Sequence, residues 1–227
     1  MSKNMFRIQR PSMIETNFLA NVGHNKERRS NVTELVLFGS TFPHLYLKTH
    51  FHTGSHSMPV AIITGASSGI GRETAAHFAK KGWQVVLSGR NEANLKEAVK
   101  ECVAAGAKES NAVYVVGDLT NHDVLEKIVK IAMDKFGRID CLVNNAGGGV
   151  KRQPFLEAPI EEFDRVFATN VRSVIQLTKL AIPHIIATKG TIVNISSVVS
   201  LTSNAGSGYY SMSKSALDQF TQILSLE

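Results

Sequence analysis

The stretch GYYSMSK, residues 208–214, carries the pair with the most obvious chemistry. Tyr210 and Lys214 are four residues apart, so on a helix they share one face. Tyr209 would point about 100° away from that face. A free phenol titrates near 10, so proton transfer at neutral pH asks for about three units, or roughly 4 kcal/mol. One cation about 4 Å away, at an effective dielectric near 20, supplies about that much. Lys214 is placed to be that cation. Ser197, in NISS, precedes Tyr210 by thirteen residues, room for a loop returning to the same end of a sheet. Its hydroxyl could hold a carbonyl oxygen and share the developing charge.

A second constellation lies upstream. TGASSGIGRE (64–73) places Gly65, Gly69 and Gly71 between an apolar strand and a helix starting near Arg72. Glycine permits a tight turn and a close backbone approach to a pyrophosphate at the helix N-terminus, where free N–H groups favour anions. LSGRN (87–91) ends the next strand with Gly89 and Arg90, and no carboxylate stands before Glu92. An acid there would bond a ribose 2′-hydroxyl, whereas a guanidinium suits a 2′-phosphate. NADP is therefore expected in preference to NAD, with Arg72 as a second cation; the alternative for Arg90 is a solvent-exposed side chain. Asp118 could accept from an adenine amino group or cap the helix beginning near Asn121. NNAG (144–147) could form a turn that steadies the sheet and floors the cofactor site.

These residues need a frame. After Met58, apolar runs alternate with amphipathic stretches: VAIIT, QVVLS, AVYVV, CLVN and TIVNIS between helices at 91–105, from 121, at 161–187 and from Tyr209 to the end. Continuous apolar strands alternating with helices indicate an α/β domain, a doubly wound parallel sheet. Val124, Leu125, Ile128, Ile131 and Ala132 mark one buried helix face.

Residues 1–57 read differently, as an extension of unknown role, poorly ordered, with an upstream addition before a start at Met58 as one option and a targeting or docking arm as another. They hold seven Lys/Arg and three Glu, four of the net +6 charges, so the basic balance is not a stripe on the domain and nucleic-acid binding is not expected. His50, His52 and His56 lack a periodic element to hold them, and no metal is expected. Two cysteines give no disulfide framework. No apolar run is long enough to span a membrane. A cytoplasmic location follows, with organelle targeting by 1–57 left open.

From 58 to 227 the chain resembles the short-chain dehydrogenase/reductase family, in its NADP-preferring branch: TGASSGIG, DL, NNAG, FATN, NISS and YSMSK occur in order. The resemblance implies an oxidoreductase acting on a small-molecule carbonyl or alcohol, with Tyr210 as acid/base. Lys214 lowers the tyrosine's pKa and binds the nicotinamide ribose, Ser197 orients the carbonyl, and Asn170 supports a water-linked proton relay. It further implies cofactor contacts from Gly65, Ser67, Ser68, Gly69, Ile70 and Gly71 in the first turn, and from Arg90, Asp118 and Leu119 after the next strands. Asn145, Ala146 and Gly147 follow, with Tyr210 and Lys214 themselves. Family members continue past the tyrosine helix with a strand, a substrate-covering loop and helix, and a last strand. A truncated chain with an unpaired edge at TIVNIS is therefore expected, and a catalytically inactive cofactor- or partner-binding fragment is the alternative function. Homodimers or homotetramers are implied through the helices at 161–187 and after Tyr209.

Overall fold

The computed structural model describes residues 34–36, 57–202 and 204–227. The histidine cluster at 50, 52 and 56, and the extension apart from residues 34–36 and Ser57, lie outside the described residues.

Six strands form one sheet: β1 (Glu34–Val36), β2 (Val60–Thr64), β3 (Gln84–Gly89), β4 (Ala112–Val116), β5 (Cys141–Asn144) and β6 (Thr191–Ile195). All pairings are parallel, in the order β1-β6-β5-β2-β3-β4. β2 and β5 are buried at every position, as strands covered on both faces must be. The chain winds from β2 outward through β3 to β4, then crosses back to β5 and β6. The winding reverses between β2 and β5, and their carboxyl ends, Thr64 and Asn144, mark the crevice where such sheets take ligands.

Helices cover both faces: α1 (Gly69–Lys80), α2 (Glu92–Ala104), α3 (His122–Phe136), α4 (Ile160–Phe167), α5 (Ser173–Thr188) and α6 (Gly208–Leu224). On one side, Ala75 and Ala79 of α1 with Leu95 and Cys102 of α2 pack on Ile63, Val85 and Leu87. On the other, Leu125, Ile128 and Ala132 of α3 with Leu177 and Ile185 of α5 pack on Ile62, Val86 and Leu142.

Four details depart from expectation. α1 begins at Gly69, three residues ahead of Arg72, with Gly69 itself in the left-handed region at φ +53° and Gly71 already inside the first turn. The helix expected over 161–187 is two helices joined by a wide π turn, Ala168–Arg172, containing Asn170; such turns often mark functional positions. α6 stops at Leu224 instead of running to the last residue. The edge of β6 is not unpaired: Glu34–Val36 lies along it, Leu35 opposite Asn194.

Candidate active site

The turn after β2 is built so that three backbone segments can touch. Gly65 has φ +66°, a conformation open to glycine, and a β-carbon there would lie 2.9 Å from the Ala146 α-carbon. On Gly71 a β-carbon would lie 2.4 Å from Asn145 Nδ2 and 2.5 Å from the Gly65 carbonyl oxygen. Thr64 Oγ1 accepts from the backbone N–H of Asn145 and of Ala146, both at 3.0 Å. Asn145 Nδ2 donates to Thr64 O at 2.8 Å and to Gly65 O at 3.4 Å. The glycine turn and the NNAG loop are thus one unit across β2 and β5, and Asn145 spends its amide hydrogens holding it. Ser68, the residue before α1, makes no side-chain cap and no acid stands in the first turn, so the helix start keeps its donors for an anion.

At the far end of this crevice, a cavity of about 320 Å³ is lined by Ile70, Asn145, Gly147, Ser197, Tyr210 and Lys214, with Gly148, Gly149, Ile195 and Ser196 between them. Tyr210 is half-buried, and its hydroxyl makes no hydrogen bond among the described residues. Tyr209 is buried instead, edge-on to Phe155 and Phe163, and donates to Ala158 O at 3.2 Å. That packing excludes it from the cavity and leaves Tyr210 as the tyrosine with a free phenol. Ser197 Oγ accepts from Val199 N at 3.4 Å, so its own hydrogen is available.

Lys214 is 4% exposed and donates to Ile195 O at 2.6 Å. Its ammonium lies 5.8 Å from the Tyr210 ring centroid. Burial pushes Lys214 down to about 8, against the pull of Asp218. Gly147 keeps the ammonium approachable, since a β-carbon there would stand 3.6 Å from Lys214 Nζ.

Asn170 does not line this cavity. Its Oδ1 accepts from Gly148 N at 2.8 Å, and its Nδ2 donates to Gly148 O and Ser213 Oγ, each at 3.0 Å. The side chain clamps the glycine loop to α6, directly behind Tyr210, whose carbonyl accepts from Ser213 Oγ at 2.7 Å. Both amide hydrogens of Asn170 are spent on this clamp, while Oδ1 accepts a single bond.

The outer cofactor residues fall out unevenly. Arg90 is exposed at the end of β3. Arg72 is not free to join it, because it forms a two-bond pair with Glu101 at 2.7 and 2.6 Å. Glu92 is occupied by Lys96 and Tyr114. Asp118 does not cap α3; Asn121 does, accepting from Asp123 N at 3.0 Å. Asp118 Oδ1 accepts from the backbone and hydroxyl of Thr120, and these bonds hold the carboxyl below its ordinary range, with a smaller contribution from Arg90. Leu119 is buried in the α3 core, so a ligand meets its backbone alone. Ser67 lies where a β-carbon on Gly89 would be 3.1 Å from its side chain, so a compact residue is needed there.

A polar ladder beneath the site escaped sequence reasoning. Asn144 Nδ2 donates to Thr178 Oγ1 (3.2 Å) and Asn194 Oδ1 (2.9 Å), and Asn194 Nδ2 donates to Thr221 Oγ1 (2.8 Å). All four residues are buried, and the chain of bonds ties α5, β5, β6 and α6 together. Its one sequence signal is asparagine inside two otherwise apolar strands.

The cradle fits an extended dinucleotide: a donor-rich helix start, glycines where β-carbons would intrude, and an enclosed, unpartnered Ser196 Oγ beside the cavity. The sequence model for short chain dehydrogenases matches residues 59–227. Meso-2,3-butanediol dehydrogenase from Serratia marcescens is 37% identical over 168 residues, which are 74% of this chain and 64% of that protein. A 3-oxoacyl-[acyl-carrier-protein] reductase from Thermotoga maritima is 38% identical, over 72% of this chain and 65% of that one. A Caenorhabditis elegans short-chain dehydrogenase/reductase of unknown function, solved with cofactor, superposes with a TM-score of 0.71 at 37% identity, covering 74% of this chain and 64% of that one. The chain therefore spans slightly under two thirds of the length of these relatives. With the motifs in order, the fold in agreement and the family's sequence pattern running through residues 59–227, the chain belongs to the short-chain dehydrogenase family.

Proposed function

We propose that this chain is the cofactor-binding and catalytic part of an NADP(H)-dependent oxidoreductase acting on a carbonyl or secondary alcohol. The observation that carries the reading is the single cavity bringing together the Tyr210 phenol, the Ser197 hydroxyl and the buried Lys214 ammonium beside Gly147. The glycine turn after β2, Arg90 and the NNAG loop would hold NADPH, which when bound would supply the hydride for the carbonyl carbon. Ser197 donates a hydrogen bond to the carbonyl oxygen as its charge grows. Tyr210 gives that oxygen its proton, and the ammonium of Lys214 favours the phenolate left behind. Oxidation of an alcohol runs the same proton path in reverse. NADP over NAD is supported by exposed Arg90 at the end of β3 and by Glu92, which is committed to Lys96 and Tyr114.

The length ratio to its relatives favours one second reading, a catalytically silent fragment that keeps the cofactor site. Assembly as a homodimer or homotetramer is proposed through α4, α5 and α6; Phe167, Val171 and Ile175, on α4, the π turn and α5, line an outer hollow. Among the described residues no helix is long and apolar enough to cross a membrane. The two cysteines are buried free thiols, in keeping with a reducing compartment such as the cytoplasm.

A thermal melt with NADP⁺ or NAD⁺ tests the binding half. Ligand at a hundred times its Kd adds about 2.7 kcal/mol, or roughly 5–10 °C for a domain of this size. A larger shift with NADP⁺ is expected, and no shift with either dinucleotide refutes the reading. Tyr210→Phe then separates enzyme from silent fragment: turnover disappears while the cofactor-induced shift stays.

A further inference from the structure

Among the described residues, four enclosed side-chain atoms lack a hydrogen-bond partner: Ser88 Oγ, Ser196 Oγ and both carboxylate oxygens of Asp218. A lone hydroxyl is a modest cost. A carboxylate with neither oxygen bonded is far more expensive to bury, and Asp218 is only 7% exposed. Its place on α6 suggests what offsets that cost. Asp218 follows Lys214 by four residues and Tyr210 by eight, so all three run along one face of the helix. Helical side chains lean toward the N-terminus, which hangs the Asp218 carboxylate over the turn carrying Lys214. The two are not in direct contact, since no ion pair within 4.0 Å joins them. They form a pair of buried, opposite charges one helical turn apart.

We propose that Asp218 is a positioning residue for Lys214: its carboxylate is the countercharge that holds the buried ammonium in its charged form beside the Tyr210 phenol. The proposal rests on the reading of Lys214 as the working cation of the site.

The surroundings leave Asp218 this role. β6 and the turn at Val198–Ser200 bring no ionisable side chain to α6. α4 carries Glu161, Glu162, Asp164 and Arg165. Glu162 accepts from Gln153 and lies 4.0 Å from Arg165, while Arg165 donates to Gly149 O. Asp164 and Arg172, the latter on the π turn, line the outer hollow on the far side. On α6 the remaining titratable groups are the two tyrosines. Burial drives Lys214 toward its neutral form, and Asp218 is the one charge opposing it. A costly orphan carboxylate beside a catalytic cation is the sort of local conflict that folds retain at working sites.

The test reads Lys214 directly and needs no turnover. In the 227-residue chain labelled with ¹³C at lysine Cε, the Lys214 signal is assigned by its loss in Lys214→Arg and titrated by NMR. The wild-type midpoint is expected near 8. Asp218→Asn is expected to lower it by about one pH unit, and Asp218→Glu to return it toward the wild-type value. The melting temperature of Asp218→Asn is expected to be unchanged or higher, because an unsatisfied charge has gone. An unmoved midpoint in Asp218→Asn overturns the proposal, whether or not the chain proves to be an enzyme. Loss of a cooperative melt in that variant overturns it too, since the carboxylate would then be holding the helix and not answering the ammonium. A lowered midpoint in a chain without turnover keeps the proposal and refutes only the catalytic reading.

Discussion

Gly71→Ala is the sharpest single probe of the cradle, because two effects of known size oppose each other there. Gly71 lies within α1, and alanine in a helix interior gains about 1 kcal/mol over glycine. Against this, the new β-carbon would stand 2.4 Å from Asn145 Nδ2 and 2.5 Å from Gly65 O. The Asn145 side chain can turn away, at the cost of its 2.8 Å bond to Thr64 O, worth about 1 kcal/mol. The Gly65 carbonyl is backbone in a positive-φ turn and cannot move alone, so overpacking adds about 1–3 kcal/mol. Steric cost wins, leaving a net loss of about 2 kcal/mol and a melting temperature roughly 4–8 °C lower. Thermal and urea melts measure it. Asn145→Ala in the same chain removes one of the two clashes, so the double variant should be less unstable than the sum of the singles by about 1 kcal/mol. If Gly71→Ala is as stable as the wild type, the close packing of the turn on the NNAG loop is wrong, and with it the argument that glycine is required there.

Two other perturbations follow from named contacts. Thr221→Val leaves Asn194 Nδ2 unpaired at a position with no solvent access, so a loss of about 1–3 kcal/mol is expected in urea unfolding. Thr221→Ser, which keeps the hydroxyl, should retain most of that stability, and equal losses in the two variants would count against the ladder. Lys214 makes stability depend on alkaline pH: folded, it titrates near 8 instead of its ordinary 10.5. Between those values the unfolded chain binds more protons than the folded one, so this contribution rises with pH, and below 8 the burial penalty is complete. Relative to Lys214→Met, the wild type should therefore gain of order 3 kcal/mol from pH 7 to pH 10.5. A constant difference across that range would refute the burial of a charged lysine.

The sheet was legible because its signal is local. VAIIT, QVVLS, AVYVV, CLVN and TIVNI are apolar runs bounded by glycine turns, and each became a strand within a residue of where the pattern placed it. What stayed hidden depends on partners distant in sequence. Arg72 looks like a phosphate ligand until Glu101, twenty-nine residues away, is found to hold it. The strand at Glu34–Val36 is three residues long, too short to show a period, and only the exposed edge of β6 gives it a partner. The π turn left no trace because the apolar pattern continues across it, from Val166 through Val174. Asn194 becomes intelligible only once the register sets it opposite Asn144.

These hidden contacts share a consequence for the site. α6 carries Tyr210 and Lys214, and it is fixed in three independent ways. At its start, the Tyr209 ring is wedged between Phe155 and Phe163. One turn on, Ser213 is tied through Asn170 to the glycine loop. Near its end, Thr221 is bonded to Asn194 of β6. Apolar packing alone tolerates small rotations of a helix, whereas directional bonds at two heights along it do not. The phenol is thereby held at one azimuth toward the cavity while its hydroxyl stays free. Residues that line no part of the cavity thus do as much to place the phenolic oxygen as the Tyr-Lys spacing does.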